Sequence, residues 1–321
     1  MIVVPMKLRP CYKEYLWGGT KLKHDFGKRD GPPVIAESWE LACHPDGSSV
    51  IAQGQYEGKR LQEIIEAAPA IMLGSACDTG KLPILVKLID AEKDLSIQVH
   101  PSDQTAIAEN GEQGKAEMWY IVDCKPHSSI YYGFSERISE TELIERAHNG
   151  TICEVLNRVP VSKGSVFYIL PGMIHAIGAG IIVAEIQQNS NTTFRIYDYN
   201  RRDAAGNQRI LHLERASKVL DYEPILPENC RVNSGVSFPE YTMKLMFSCR
   251  YFKAYCLNVR TTARLCCDGI SFQHLLCVEG SGGIDFGGKT YSLSKGESYF
   301  LPAAMGEYEI RGECCILLSR M

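Results

Sequence analysis

Apolar and polar positions alternate through Asp94-Leu-Ser-Ile-Gln-Val-His100, a period of two that predicts a strand. Leu95, Ile97 and Val99 point to one side, and Ser96, Gln98 and His100 to the other. Gln98 and His100 thus project together, about 7 Å apart at a rise of ~3.3–3.4 Å per residue. Further strands are predicted over 35–41, 82–89, 117–122, 166–170, 181–186 and 192–200, and in the last of these Thr193, Arg195 and Tyr197 share a face. Leu61, Ile64, Ile65 and Ala68 recur at helical spacing and predict a short amphipathic helix. Ser102 is placed to cap a helix reaching Glu109. Ser139-Glu-Thr-Glu142 forms a capping box ahead of Leu143, Ile144 and Ala147, and 213–220 makes one more short helix. Residues 221–229 read as a linker. Beyond about Cys230 the pattern holds only short strands and turns, with Gly280-Ser-Gly-Gly and Gly287-Gly as hairpin tips.

The chain contains an internal echo. Lys163-Gly-Ser-Val-Phe-Tyr-Ile-Leu-Pro171 reappears as Lys295-Gly-Glu-Ser-Tyr-Phe-Leu-Pro302. His175 follows the first proline, and no histidine stands there after the second. This predicts two related β-barrels: a metal-binding one with short helices over 1–225, and a degenerate one without metal over 235–321.

Composition narrows the class without naming a function. The chain has 321 residues, 45% hydrophobic and 22% charged, which suits a globular fold with a large core. A formal charge of −4 gives no basic surface for nucleic acid or an anionic membrane. No apolar run approaches the ~20 residues that span a bilayer, and Met1-Ile-Val-Val-Pro-Met-Lys is not a secretory leader. The 13 cysteines form no Cys-x-x-Cys and sit mostly in apolar strand-like segments, as expected of small buried hydrophobes in a reducing cytoplasm.

The chemistry gathers on a few polar positions. Gln98 and His100 share a strand face, Glu117 opens a second strand, and Pro171-Gly-Met-Ile-His175 brings another histidine. Nitrogen and oxygen donors of this kind suit zinc or a similar divalent ion. Their spacing resembles the cupin pattern of His-x-His, a Glu a dozen or so residues on, and a Gly-x5-Pro-x-Gly-x2-His segment. Gln98 replaces the first histidine, and Gly164 to His175 carries one extra residue before its proline and Pro-Gly where the pattern has Pro-x-Gly.

Trp17-Gly-Gly, Glu37-Ser-Trp-Glu, Ser96-Ile-Gln-Val-His-Pro-Ser-Asp, Lys115-Ala-Glu-Met-Trp-Tyr, Pro171-Gly-Met-Ile-His-Ala and Thr192-Thr-Phe-Arg-Ile-Tyr-Asp together resemble the type I mannose-6-phosphate isomerase family. The resemblance is to its short bacterial form. It implies a mainly β protein of two cupin-type jelly-roll barrels with a few short helices. It further implies one Zn2+ per chain on Gln98, His100, Glu117 and His175, an arginine at Arg195 acting at the reacting carbons, and Lys115 and Glu185 in the pocket. The expected reaction converts mannose 6-phosphate to fructose 6-phosphate through an enediol, in a cytoplasmic monomer or homodimer. Moving a proton between C1 and C2 needs one base, and the sequence leaves Lys115 and Glu185 both open for it. Lys87, Arg201 and Arg202 are cations available to a phosphate, with none assigned. The rival class is a non-isomerase cupin, either an iron dioxygenase using His100, Glu117 and His175 or a sugar-binding regulatory module.

Overall fold

The structure is a computed structural model that describes residues 2–77, 79–110, 112–203, 205–226 and 234–321. Residues 227–230, which include the end of the expected linker and Cys230, lie outside the described residues. The fold is mainly β with a few short helices, as the alternation predicts. No helix of the described residues is long and apolar enough to cross a membrane.

Packing gathers the chain into two compact units, each discontinuous in sequence. One is built from Met1–Lys13, Thr20–Leu88 and Val232–Met321, the other from Glu14–Gly19 and Ile89–Arg231. In the first unit the opening strand Met6–Arg9 pairs antiparallel with Ser298–Leu301, setting Met6 opposite Phe300. The large sheet of this unit runs on through Gln273–Phe286, Gly306–Arg320, Lys253–Val259 and Tyr241–Ser248. A large apolar cluster forms its core, with Leu257, Leu275, Leu293, Tyr299, Leu301, Ile310, Ile316 and Leu318 among its members, and a buried ion pair between Lys28 and Glu40 lies in the same unit.

Gly287-Gly288 is a hairpin tip, between Gln273–Phe286 and Lys289–Ser294. Gly280-Ser-Gly-Gly is not one. It lies inside the strand Gln273–Phe286, just beyond a register shift between Cys277 and Glu279. The reason is close approach. A Cβ on Gly280 would fall 2.1 Å from the Glu313 carbonyl oxygen, and one on Gly282 would fall 2.2 Å from that of Arg311. Glycine lets the neighbouring strand pass where any side chain would collide.

The second unit has two sheets. One runs in the order Leu156–Pro160, Ser129–Phe134, His175–Ile177, Ile97–Val99, Phe194–Tyr197. In the other, Glu117–Cys124 lies between Val166–Ile169 and Ile181–Gln188. The outer face of the first sheet, including Ile97, Val99, Ala176 and Phe194, packs against Leu143 and Ala147 of helix Glu140–Asn149 and Ala216 of helix Leu213–Val219. Ser139 caps the first of these helices by accepting from the Glu142 N–H at 3.1 Å, as the capping box predicts, and Gly150 ends it in the left-handed conformation. With Ile97 and Val99 claimed by helices, Gln98 must face inward. Trp17-Gly-Gly also acquires a reason: a Cβ on Gly19 would sit 2.5 Å from the Asp90 carboxylate.

Candidate metal centre

Register alone builds most of the centre. His175 lies directly across from Gln98, and Gln98 directly across from Arg195, so three neighbouring strands carry the row His175–Gln98–Arg195 on one face. Tyr132 extends the row on the other side of His175. On the opposing sheet, Glu117 faces Gln187 and Trp119 faces Glu185. The two sheets meet here, with the Trp119 ring edge-on to His175 at 5.5 Å between centroids.

The donor atoms converge. One ligand atom each from His100, Glu117 and His175 lies within 4.8 Å of the others, and all three residues are fully buried. His100 and His175 bring their Nε2 atoms to 3.2 Å, and Glu117 oxygens lie 3.5 Å from the former and 3.4 Å from the latter. The Gln98 amide nitrogen is 3.4 Å from His175 Nε2, and a half-turn of that amide presents its oxygen instead.

Backbone carbonyls fix both rings. His100 Nδ1 is 3.0 Å from the Thr192 carbonyl oxygen, and His175 Nδ1 is 2.8 Å from that of Met173. A carbonyl only accepts, so each Nδ1 carries the proton and each Nε2 turns its lone pair inward, the usual arrangement behind a metal-ligating histidine. Burial, then the Lys115 charge, pushes His100 down to about 3, and burial likewise lowers His175. Both rings are therefore neutral at pH 7.

Burial works to raise the Glu117 carboxyl, but the positive charges around it, Lys115 foremost, hold it well below the usual carboxylate range. Lys115 Nζ is 3.0 Å from Glu117 Oε2 and 3.2 Å from His100 Nε2. Even so, neither Glu117 oxygen accepts a well-directed hydrogen bond among the described residues. Two inward lone pairs and an ionised carboxylate without a proper donor make a set that fits a divalent cation.

The remaining expected residues fall as follows. Glu185 is buried and accepts from the Trp119 indole N–H at 3.0 Å. Arg195 donates to the Ile210 carbonyl at 2.9 Å, while its Nε has no hydrogen-bond acceptor among the described residues. Burial and the Arg209 charge push its guanidinium below the ordinary value. It pairs with neither Asp198 nor Glu185. Asp198 is instead held by Arg201 and Arg209. Arg202 donates outward to the Gly206 carbonyl at 2.7 Å, and Lys87 stands 3.5 Å from Glu37, over the Trp39 ring.

One orientation differs from the expected pattern. Strict alternation puts Tyr197 beside Arg195, but the register shifts between them, so that Tyr197 pairs with Ile97 and packs into the helix-covered core. The bulge re-aims the side chain by inserting one residue. The carbonyls of Thr192 and Met173 carry no sequence signal. Trp119 and Gln187 were within reach, as residues on the Glu117 face of two paired strands.

Fold and donor set together define a cupin-type protein with a histidine–glutamate–histidine centre. Residues 6–123 match the family described as phosphomannose isomerase type I, catalytic domain, and residues 242–321 the mannose-6-phosphate isomerase cupin domain. The chain is 38% identical to mannose-6-phosphate isomerase ManA of Bacillus subtilis, over 98% of this chain and 99% of the relative. It is 31% identical to mannose-6-phosphate isomerase of Streptococcus mutans, over 98% of each. A crystal structure of mannose 6-phosphate isomerase from Bacillus subtilis superposes with a TM-score of 0.91 at 35% identity, covering 99% of both chains. Phosphomannose isomerase of Salmonella typhimurium, at 19% identity and a TM-score of 0.77, shares the fold. The chain belongs to the type I mannose-6-phosphate isomerase family.

Proposed function

We propose that the protein is a zinc-dependent aldose–ketose isomerase that interconverts mannose 6-phosphate and fructose 6-phosphate through an enediol. The observation that carries this reading is the convergence of Gln98, His100, Glu117 and His175 beside Lys115, with Arg195 next in the same cross-strand row. Similarity to enzymes of that name along nearly the whole chain supports it.

Gln98, His100, Glu117 and His175 would hold the ion. When bound, it supplies Lewis-acid stabilisation of negative charge on the sugar oxygens at C1 and C2. Arg195 adds a second cation that needs no proton exchange and presents a planar fork of donors. Lys115 balances Glu117 and keeps a positive charge at the edge of the centre. The shuttle that takes the proton from one carbon and returns it to the other falls to Glu185, because Lys115 is already engaged by Glu117 while Glu185 offers a carboxylate oriented by an indole N–H. We assign catalysis to the metal-bearing strands and packing or assembly to the C-terminal barrel.

The dioxygenase reading uses the same two histidines and one carboxylate. Gln98, in register with His175, supplies a fourth donor that a facial triad does not need. A coupled assay of mannose 6-phosphate conversion, run before and after chelation and after zinc return, tests the proposal. Activity lost to the chelator and restored by zinc is the expected result. Full activity in metal-free protein, or tightly held ferrous iron with no isomerase activity, would overturn it.

A further inference from the structure

We infer that Glu112 and the hydroxyl of Thr192 form a clasp that positions His100, and that both are positioning residues of the metal centre; this rests on His100 being a metal ligand. The His100 ring is oriented by a backbone carbonyl, that of Thr192, so its aim is only as firm as the segment that carries Thr192. That segment is not part of a strand. It bridges Ile181–Gln188 and Phe194–Tyr197, and side chains must do what a ladder would otherwise do.

They do so at two points. Glu112 Oε2 accepts from the Thr192 hydroxyl at 2.6 Å and from the Ser190 hydroxyl at 3.3 Å, and Ser190 Oγ in turn accepts from the Thr192 N–H at 3.3 Å. The root of the segment is pinned separately. Gln187 Nε2 donates to the Gln188 and Ser190 carbonyls at 2.8 and 2.5 Å. Gln188 accepts from the Ala116 N–H at 3.0 Å and donates to Asp103 at 2.9 Å. Asp103 also accepts from the Gly114 N–H at 2.9 Å. The segment is thereby tied to Asp103, Glu112 and Ala116, the last of which lies between Lys115 and Glu117.

The chain of support thus runs Glu112, Thr192 hydroxyl, Thr192 carbonyl, His100 Nδ1, and finally the inward lone pair on Nε2. A short charge-assisted hydrogen bond is the strong link in it. Outer partners of this kind set metal affinity through the ligand's tautomer and ring orientation. Glu112 is linked to His100 through Thr192, so its influence should appear in how long the ion stays and in what field it feels.

The test uses the full-length protein loaded with zinc, and separately with cobalt. Zinc release to a chromophoric chelator is timed for the wild type, His100→Ala, Thr192→Val, Thr192→Ser and Glu112→Ala. The expected result is release about 10-fold faster from Thr192→Val and Glu112→Ala, with Thr192→Ser close to wild type because it keeps the hydroxyl. The visible spectrum of the cobalt protein should shift in the first two and not in the serine variant. Wild-type release and spectra from Thr192→Val and Glu112→Ala would overturn the clasp alone. A wild type that holds no zinc, or a His100→Ala variant that holds it equally well, would overturn the ligand assignment beneath it.

Discussion

The two copies of the Lys-Gly-x-x-aromatic segment share a frame and differ in what they deliver. Each begins with a glycine at a φ of 85°, Gly164 and Gly296, and each continues into a four-residue strand, Val166–Ile169 and Ser298–Leu301. After Pro171 the first copy turns through Gly172, whose N–H donates to the His100 carbonyl at 2.9 Å, and sets His175 into the centre. After Pro302 the second enters a short 3-10 helix at Ala303–Met305, with Met305 packed into the apolar core. Strand geometry is therefore indifferent to chemistry. The inward-facing positions decide: Gln98, Glu117, Glu185 and His175 in one unit, against Leu257, Tyr299, Leu301 and Leu318 in the other.

The widest break in that comparison is His100→Ala. It removes one of the three clustered donors and leaves Glu117 buried among fewer polar groups. We expect loss of bound metal by elemental analysis and loss of measurable isomerase activity, with the melting of the C-terminal strands unchanged. Retention of a full equivalent of zinc would dissolve the distinction between the two regions.

Arg195→Ala comes next. On the proposed role its cation acts mainly on charge that develops in the transition state, and kcat should then fall ~10²–10³-fold, the cost of one well-placed donor to an oxyanion, with a smaller change in KM. Arg195→Lys should recover only part of the loss, since an ammonium lacks the planar fork. Unchanged turnover per folded molecule alongside a lowered melting temperature would make Arg195 a wall residue.

The inward and outward faces were legible in the sequence because alternation is a local property, and Ser96-Ile-Gln-Val-His carried it without interruption. The cluster of His100, Glu117 and His175 was legible for the same reason, helped by the spacing of its donors along the chain. What escaped depended on distant partners. The bulge after Arg195 is set by pairing with Ile97 and Gln98. Gly280 and Gly282 answer to backbone at Glu313 and Arg311. The joining of Met6–Arg9 to Ser298–Leu301 spans nearly the whole chain. The Thr192 and Met173 acceptors are main-chain atoms, which every residue has and no residue type announces.

The shared turn can be made to sharpen the comparison. An alanine at either glycine must adopt the left-handed region, at a cost of roughly 1–2 kcal/mol. A Cβ on Gly164 meets nothing within 4 Å, whereas one on Gly296 falls 2.1 Å from the Phe26 carbonyl oxygen. Gly296→Ala should therefore destabilise by about 3 kcal/mol, the upper end of ordinary single-site effects, and Gly164→Ala by only the backbone cost. Denaturant titration of both variants measures the gap, and equal losses would mean the two turns are not constrained differently.

The smallest effect expected is one of pH, and it concerns the charged rim around Asp198. Asp198 is 4% exposed and accepts from Arg209 Nε at 2.8 Å, with further bonds to both Arg201 and Arg209. Burial works to raise its carboxyl, but the hydrogen bonds and charges of Arg209 and Arg201 hold it below the ordinary value. A carboxyl whose folded value is depressed contributes stability above its unfolded value of ~3.9, and that stability drains away as pH falls through the folded value. The contribution should be whole at pH 5 to 7 and shrink from about pH 4 downward. Asp198→Asn removes the charge and should cost about 1–2 kcal/mol at pH 7, in line with a hydrogen-bonded charge. Because other carboxylates also titrate on acidification, the informative quantity is the difference in stability between wild type and variant. That difference should narrow between pH 5 and pH 3, and hydrogen exchange should place the narrowing in the strand Phe194–Tyr197 rather than in Tyr241–Ser248. A gap that stays constant across that range would show that the arginines hold Asp198 for shape and not for charge.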